Sequence, residues 1–218
     1  SHNVTIESNT ISDGVTGVFI MYSNDSYIAL NTITNNNGSG IFLFYSSRSI
    51  IYHNTMRGNG YNGIILARSY DNTIYMNNVI NNTRGIYLYK SKGSIIYLNN
   101  IINNTNQLER YSSSATLDDG VVGNYWSDYN GTDSDGDGIG DSPYEIKGLT
   151  DNYPLMKPID FTPKICEILR APDIPSEDDE VTIMANITDS DGVEEAYLRY
   201  HNGTEWNLVN MSLNVTTG

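Results

Sequence analysis

A pattern returns along this chain every 22 to 23 residues, from its first residues to about residue 104. Isoleucine recurs at Ile6, Ile28, Ile51, Ile74 and Ile96, asparagine at Asn9, Asn31, Asn54, Asn77 and Asn99, and glycine at Gly17, Gly40, Gly63 and Gly85. Registers that agree over four or more copies mean one structural unit stacked on copies of itself. Within a unit, Ile28 and Leu30 alternate with Tyr27 and Ala29, and Ile41 and Leu43 with Phe42 and Phe44. That is the period of a strand with one buried face, and the runs are too short for helices. A leucine-rich repeat has a similar length but brings a helical segment in each unit. Here the rest of the unit reads NTITNNNGSG or NNVINNTRG, which is turn chemistry.

The expected fold is therefore all-β, a right-handed parallel β-helix solenoid. Coils one strand spacing apart, about 4.8 Å, place equivalent residues on top of one another. Ile6 through Ile96 then form one inward column, and Ile11, Ile33, Met56, Val79 and Ile101 a second. Val18, Ile41, Ile64 and Ile86 form a third, with Ile20, Leu43, Leu66 and Leu88 a fourth. The asparagines are expected to form an internal ladder at a sharp corner, each amide bonding the next.

After Asn104 the repeat fades, so the solenoid is assigned to residues 1–115. A terminal coil leaves an unpaired edge and an open core, which solenoids close with a cap. Residues 116–160, rich in Trp and Tyr and holding an acidic loop, are the candidate cap. Residues 161–218 read as antiparallel strands separated by turns, an Ig-like or fibronectin-like β-sandwich. Only about four strands fit where a sandwich has about seven, so this module is expected to be truncated or completed by other chain. Both ends of the sequence read as fragment boundaries, and no signal peptide is visible.

The net charge is −14, from 26 acidic and 12 basic residues. Such a balance argues against nucleic acid or anionic membrane as partner. No 18-residue apolar run marks a membrane span. The single cysteine, Cys166, lies in an apolar strand and reads as a small core residue. Ten N-x-S/T sequons occur, at Asn3, Asn24, Asn37, Asn81, Asn103, Asn130, Asn186, Asn202, Asn210 and Asn214. Random placement of the 28 asparagines would give about half as many, so the excess points to a glycosylated, extracellular surface protein.

One stretch has the spacing of a metal loop. Asp133, Asp135, Asp137 and Asp141 stand at positions 1, 3, 5 and 9, Gly138 at position 6 and Ile139 at position 7, where a carbonyl can ligate. Hard oxygens in that pattern suit Ca²⁺. Position 12 is Tyr144 in place of the bidentate glutamate, and no helices flank the loop. A structural Ca²⁺ clip is expected, not an EF-hand switch, with water or an outside residue, Asp128 or Asp151, completing the shell.

The coil phrases GIxL and NNTI resemble the right-handed β-helix repeats of the NosD-like family. GNYWSDYNGTDSDGDGIGDSPYEI, followed by Asp151-Asn152-Tyr153-Pro154-Leu155, resembles the segment that closes such β-helices in archaeal, S-layer-like surface proteins. Residues 164–218 resemble the Ig-like modules that accompany them. The resemblance implies a β-helix at the cell surface, and the family label includes periplasmic copper binding. On the residues themselves, His2, His53 and His201 form no His-x-His or Met-rich cluster.

Glycoside hydrolysis needs two carboxylates at a set separation on one face. The coil acids Glu7, Asp13, Asp25, Asp71 and Glu109 fall at different points of the repeat, and the coil bases are scattered. No catalytic residue is assigned. Two outward aromatic columns, Tyr52, Tyr75 and Tyr97, and Phe19, Phe42 and Tyr87, form a candidate binding stripe for a surface protein or polysaccharide. The expected function is a non-catalytic structural or adhesive surface protein, with a carbohydrate-binding or carbohydrate-processing β-helix as the alternative.

Overall fold

The computed structural model describes residues 3–161 and, beyond them, the backbone of Lys164–Ala171, Thr182–Thr188, Tyr197–His201 and Trp206–Asn210. Among the described residues every regular element is a strand. The chain divides into two compact units, residues 1–159 and residues 160–218.

The first unit is a right-handed parallel β-helix with three strands in each full coil. Its first sheet stacks Thr5–Glu7, Tyr27–Ala29, Ile50–Tyr52, Thr73–Tyr75, Ser94–Tyr97 and Ala115–Thr116. The second stacks Thr10–Ser12, Thr32–Thr34, Thr55–Arg57, Asn78–Ile80, Asn100–Ile102 and Tyr125–Trp126. The third stacks Val18–Met21, Ile41–Phe44, Asn62–Ala67, Arg84–Tyr89 and Asn106–Tyr111. The registers join Ile6, Ile28, Ile51, Ile74 and Ile96, and likewise Ile11, Ile33, Met56, Val79 and Ile101, as the period predicts. From the second coil on these side chains are fully buried. Each contributes about 1.5–3 kcal/mol by leaving water.

Coils can stack this closely only if nothing lies between their backbones at the entry to the third sheet. A Cβ on Gly40 would lie 2.7 Å from the Gly63 carbonyl oxygen and 2.8 Å from Met56 Cγ, so the glycine column is steric.

Leu30 departs from the alternation that places it beside Ile28. It is 45% exposed, with φ at 56°. The physical reason is the corner it occupies. Four columns of left-handed residues run up the solenoid: Ser8 to Leu98, Asp13 to Asn103, Tyr22 to Ser112, and Asn3 to Gly93, with φ between 49° and 76°. A left-handed residue costs a non-glycine about 1–2 kcal/mol. It turns the chain so that the next side chain points inward, and those next side chains form hydrogen-bonded ladders.

One ladder was expected and four are present. In the first, the backbone N and Nδ2 of each asparagine donate to Oδ1 of the next, from Asn9 through Asn31, Asn54, Asn77 and Asn99 to Asn124, at 2.9–3.1 Å. A second runs Asn36, Asn59, Asn82, Asn104 and ends on Gln107 Oε1. Serines make the third, Ser23, Ser46, Ser69, Ser91 and Ser113, and Ser26, Ser49, Asn72 and Ser94 the fourth.

Parallel pairing continues past residue 115. Ala115 pairs with Ser94, and Tyr125 and Trp126 pair with Asn100 and Ile101. Trp126 thus fills the column above Ile101 and is fully buried. The leucine column ends differently, because Leu88 is followed in register by Arg110. Arg110 donates from Nε to the Lys147 carbonyl at 2.6 Å and from Nη1 to the Ser113 carbonyl at 2.6 Å. Lys147 and Gly148 turn the hairpin of Tyr144–Ile146 and Leu149–Asp151, so Arg110 clamps this hairpin to the last coil.

In the second unit, Lys164–Ala171 pairs antiparallel with Thr182–Thr188, and Tyr197–His201 with Trp206–Asn210. The side chain of Cys166 and the connections expected of an Ig-like module lie outside the described residues.

Candidate functional site: the cap and the outer aromatic faces

Ser134 to Gly138 form an exposed loop on the cap, with Ile139 half-buried and Gly140 buried behind it. Oxygens of Asp133, Asp135 and Asp137 all lie within 4.8 Å of one another. Two oxygens bound to one Ca²⁺ at about 2.4 Å can stand no farther apart than about 4.8 Å, so the three fit a single ion of that size. Asp133 is already held by the backbone it would ligate beside, accepting from Gly136 N at 2.8 Å and Gly138 N at 3.0 Å. Both glycines have positive φ, 77° and 90°, which lets these amides turn inward.

Asp141 has other work. Its Oδ2 accepts from Ser134 Oγ at 2.7 Å, Thr132 Oγ1 at 3.0 Å and Ser134 N at 3.1 Å. The Ser134 and Thr132 bonds hold this carboxyl below its ordinary range. Ile139 anchors the loop from behind: its N donates to Asp137 Oδ1 at 2.8 Å, and it bridges Leu155.

Asp151 lies inside the cap and is fully buried. Its Oδ2 accepts from Trp126 Nε1 at 2.8 Å and from Asn124 N at 2.8 Å, and its Oδ1 from Tyr153 N at 3.1 Å. Burial raises its pKa, against the lowering by these donors. Every asparagine of the first ladder donates toward the C-terminal end, so the last donor, Asn124, meets a carboxylate. The sequence offers Asp151, like Asp128, only as an outside ligand completing the Ca²⁺ shell, and its place at the end of the asparagine ladder is signalled there only by the aromatic cap motif around it. Trp126 in turn packs on Tyr144 at 5.0 Å. Burial, with a hydrogen bond to Asp128 at 2.9 Å, pushes the Tyr144 phenol well above its ordinary range.

The two aromatic columns differ. Tyr52, Tyr75 and Tyr97 stack ring on ring, at 4.6 Å and 5.4 Å, and Tyr52 pairs in register with the buried Ala29. Burial raises the Tyr75 and Tyr97 phenols. Both faces of Tyr75 and one face each of Tyr52 and Tyr97 are thus covered by a neighbouring ring. On the third sheet, Phe19 and Phe42 are 4.8 Å apart, and Ile65 separates Phe42 from Tyr87. Phe19 is 53% exposed.

A protein-family model for the periplasmic copper-binding protein NosD matches residues 1–131. The chain belongs to the NosD family. This NosD-family chain has one described histidine side chain, His53, which stands at a corner edge-on to Tyr52 at 5.4 Å. His2 and the side chain of His201 lie outside the described residues. Among the described residues one group gathers metal-type ligands, Asp133, Asp135 and Asp137. All of its donors are hard oxygens, which suit calcium, whereas copper prefers imidazole and sulfur. No curated protein matches the chain.

Among solved structures, the chain is similar to the periplasmic alginate epimerase AlgG, with 30% identity and a TM-score of 0.46. That match covers 47% of this chain and 26% of AlgG. It is also similar to the A-module of the Azotobacter vinelandii mannuronan C-5 epimerase AlgE6, with 15% identity and a TM-score of 0.39, covering 57% of this chain and 45% of that one. The chain thus spans less than half the length of either protein.

Of the sequons, Asn3, Asn37, Asn81, Asn103 and Asn130 are exposed. Asn24 is half-buried, and its Oδ1 accepts from Ser47 N at 2.8 Å. Asn186 and Asn210 fall on strands of the second unit, and Asn202 and Asn214 lie outside the described residues.

Proposed function

We propose that the chain is a non-catalytic scaffold of the cell envelope, a stiff β-helix rod that holds and does not turn over its partner. One observation supports this most. The inward polar side chains form ladders along the solenoid, and the first ends on a buried carboxylate. Inside the rod they are committed to structure. The stacked Tyr52, Tyr75 and Tyr97 support the same reading, because rings packed on each other stiffen a face. Exposed sequons such as Asn37, Asn81 and Asn103 support an extracellular or envelope location.

A carbohydrate-processing β-helix is the competing reading. The test is to incubate the chain with polygalacturonate, alginate and a β-glucan. Chain ends, unsaturated products and the stereochemistry of recovered sugar units are then followed by NMR. No change is expected. Turnover that a point substitution in this chain abolishes would overturn the scaffold reading.

In the same scaffold, Asp133, Asp135 and Asp137 would hold one Ca²⁺, with the Ile139 carbonyl and Asp141 Oδ1 as candidates for the remaining positions. The ion would offset three clustered negative charges and fasten the loop to the Leu155 segment behind it. An ion bound only by the folded state stabilises it by about 2.7 kcal/mol at a hundredfold excess over Kd. Chelation is therefore expected to lower the melting temperature, and Asp135→Ala with Asp137→Ala to remove that response. Melting indifferent to chelator, with no calcium uptake by calorimetry, would leave an acidic turn only.

A further inference from the structure

The charge of this chain is distributed by face. Residues 14–22, 36–45, 59–68 and 82–90 form the third side of the solenoid in its first four coils, and they contain no Asp or Glu. They do contain Arg68, Arg84 and Lys90, in a chain with 26 acids and 12 bases. Each cation is carried on a ring. The Arg68 guanidinium lies 5.3 Å from the Tyr45 centroid and also donates to the Tyr45 hydroxyl. The Arg84 guanidinium lies 5.1 Å from the Tyr87 centroid, and Lys90 Nζ 5.4 Å from that of Tyr89.

Among the described residues none of the three is ion-paired with a carboxylate. Such pairs do form beside this face: Arg48 with Asp25 at 2.8 Å at another corner, and, in the fifth coil of this same sheet, Glu109, in register with Tyr87, with Lys147 at 3.4 Å. Beside the cations the same sheet face is apolar and open. Phe19 is 53% and Met21 49% exposed, and Phe42 and Phe44 adjoin them, with ring centroids 6.0 Å apart.

We propose that this face is a docking surface for an acidic polysaccharide of the polyuronate type. Its occupant must be anionic, because three cations stand outward without carboxylate partners on an otherwise acidic molecule. It must also present flat C–H faces, because aromatic rings and methyl-bearing chains surround those cations. A linear polymer of uronic acids supplies both in every residue. It can lie along coils that rise by about 4.8 Å each, meeting Arg68 in one coil and Arg84 and Lys90 in the next. A neutral glycan would leave the cations unanswered. A second copy of this chain would bring another −14 of net charge against the first. The proposal rests on the scaffold reading for one point, that the polymer is held and left intact.

The experiment is calorimetric titration of the full chain with oligogalacturonate, with a neutral malto-oligosaccharide of equal length, and with poly-glutamate, at low and at physiological salt. Oligogalacturonate is expected to bind best and to weaken as salt rises. Arg68→Gln, Arg84→Gln and Lys90→Gln together should weaken it at least about tenfold. Phe19→Ser with Phe42→Ser should weaken it while keeping the salt dependence. All variants should show the parent's circular dichroism and melting. Equal affinity for the neutral sugar or for poly-glutamate, or no loss in the triple variant, would overturn the docking surface. The recovered oligogalacturonate is analysed as well. If bound but chemically changed, the surface stands and the scaffold reading fails. If neither bound nor changed, the surface fails and the scaffold stands.

Discussion

Ile51→Asp is expected to abolish the native state. Ile51 is fully buried, stacked in register between Ile28 and Ile74, and its carbonyl accepts from Asn77 Nδ2 at 2.8 Å. A carboxylate there would lie in an apolar column with no cation to pair with, at a cost of about 5 kcal/mol or more. Domains of this kind hold only about 5–15 kcal/mol in total. Ile51→Val, which removes one methylene and keeps the column, should cost about 1 kcal/mol. Circular dichroism and urea unfolding separate the two. A folded Ile51→Asp variant of near-parental stability would mean that this column does not face the core.

The second large effect belongs to Asp151. Asp151→Ala leaves Trp126 Nε1, Asn124 N and Tyr153 N without their acceptor in a buried site. Each such group costs about 1–3 kcal/mol, so a loss of about 3 kcal/mol or more is expected. Asp151→Asn should recover most of it, since one amide oxygen can still accept from Trp126 and Asn124. Thermal unfolding of the three proteins checks this. Equal losses in both variants would mean that Asp151 acts through its charge and not as the end of the ladder.

The coils were legible because stacking forces a period onto the sequence, and the columns at Ile51 and Val79 follow from that period alone. The corner ladders were legible only in part. Asn36, Asn59, Asn82 and Asn104 recur as regularly as the first file, and so do Ser46, Ser69, Ser91 and Ser113, but these residue types also read as ordinary turns. Leu30 misled for the opposite reason, since an apolar residue on a left-handed corner keeps the alternation and loses the burial.

The last coil was hidden by length. Asn99 and Asn124 are 25 residues apart, so the register slips just where Trp126 replaces an aliphatic residue, one strand after Arg110 has replaced a leucine in the regular period. In the acidic loop, spacing identified the three converging carboxylates but not the turn of Asp141 toward Ser134 and Thr132, which depends on neighbours in space. The unpaired cations of the third side were invisible in a net charge of −14, because only the coil geometry gathers Arg68, Arg84 and Lys90.

That the coils, ladders and cap act as one stiff body is tested most directly by native-state hydrogen exchange. The amides of Asn54, Asn77, Asn99 and Asn124, each donating into the first ladder, should exchange only with global unfolding and share one free energy in the parent protein. In Asp151→Ala the protection should fall first at Asn124 and Asn99. Protection that instead declines coil by coil in the parent, with Asp151→Ala changing nothing at Asn124, would contradict a rod fastened at its cap.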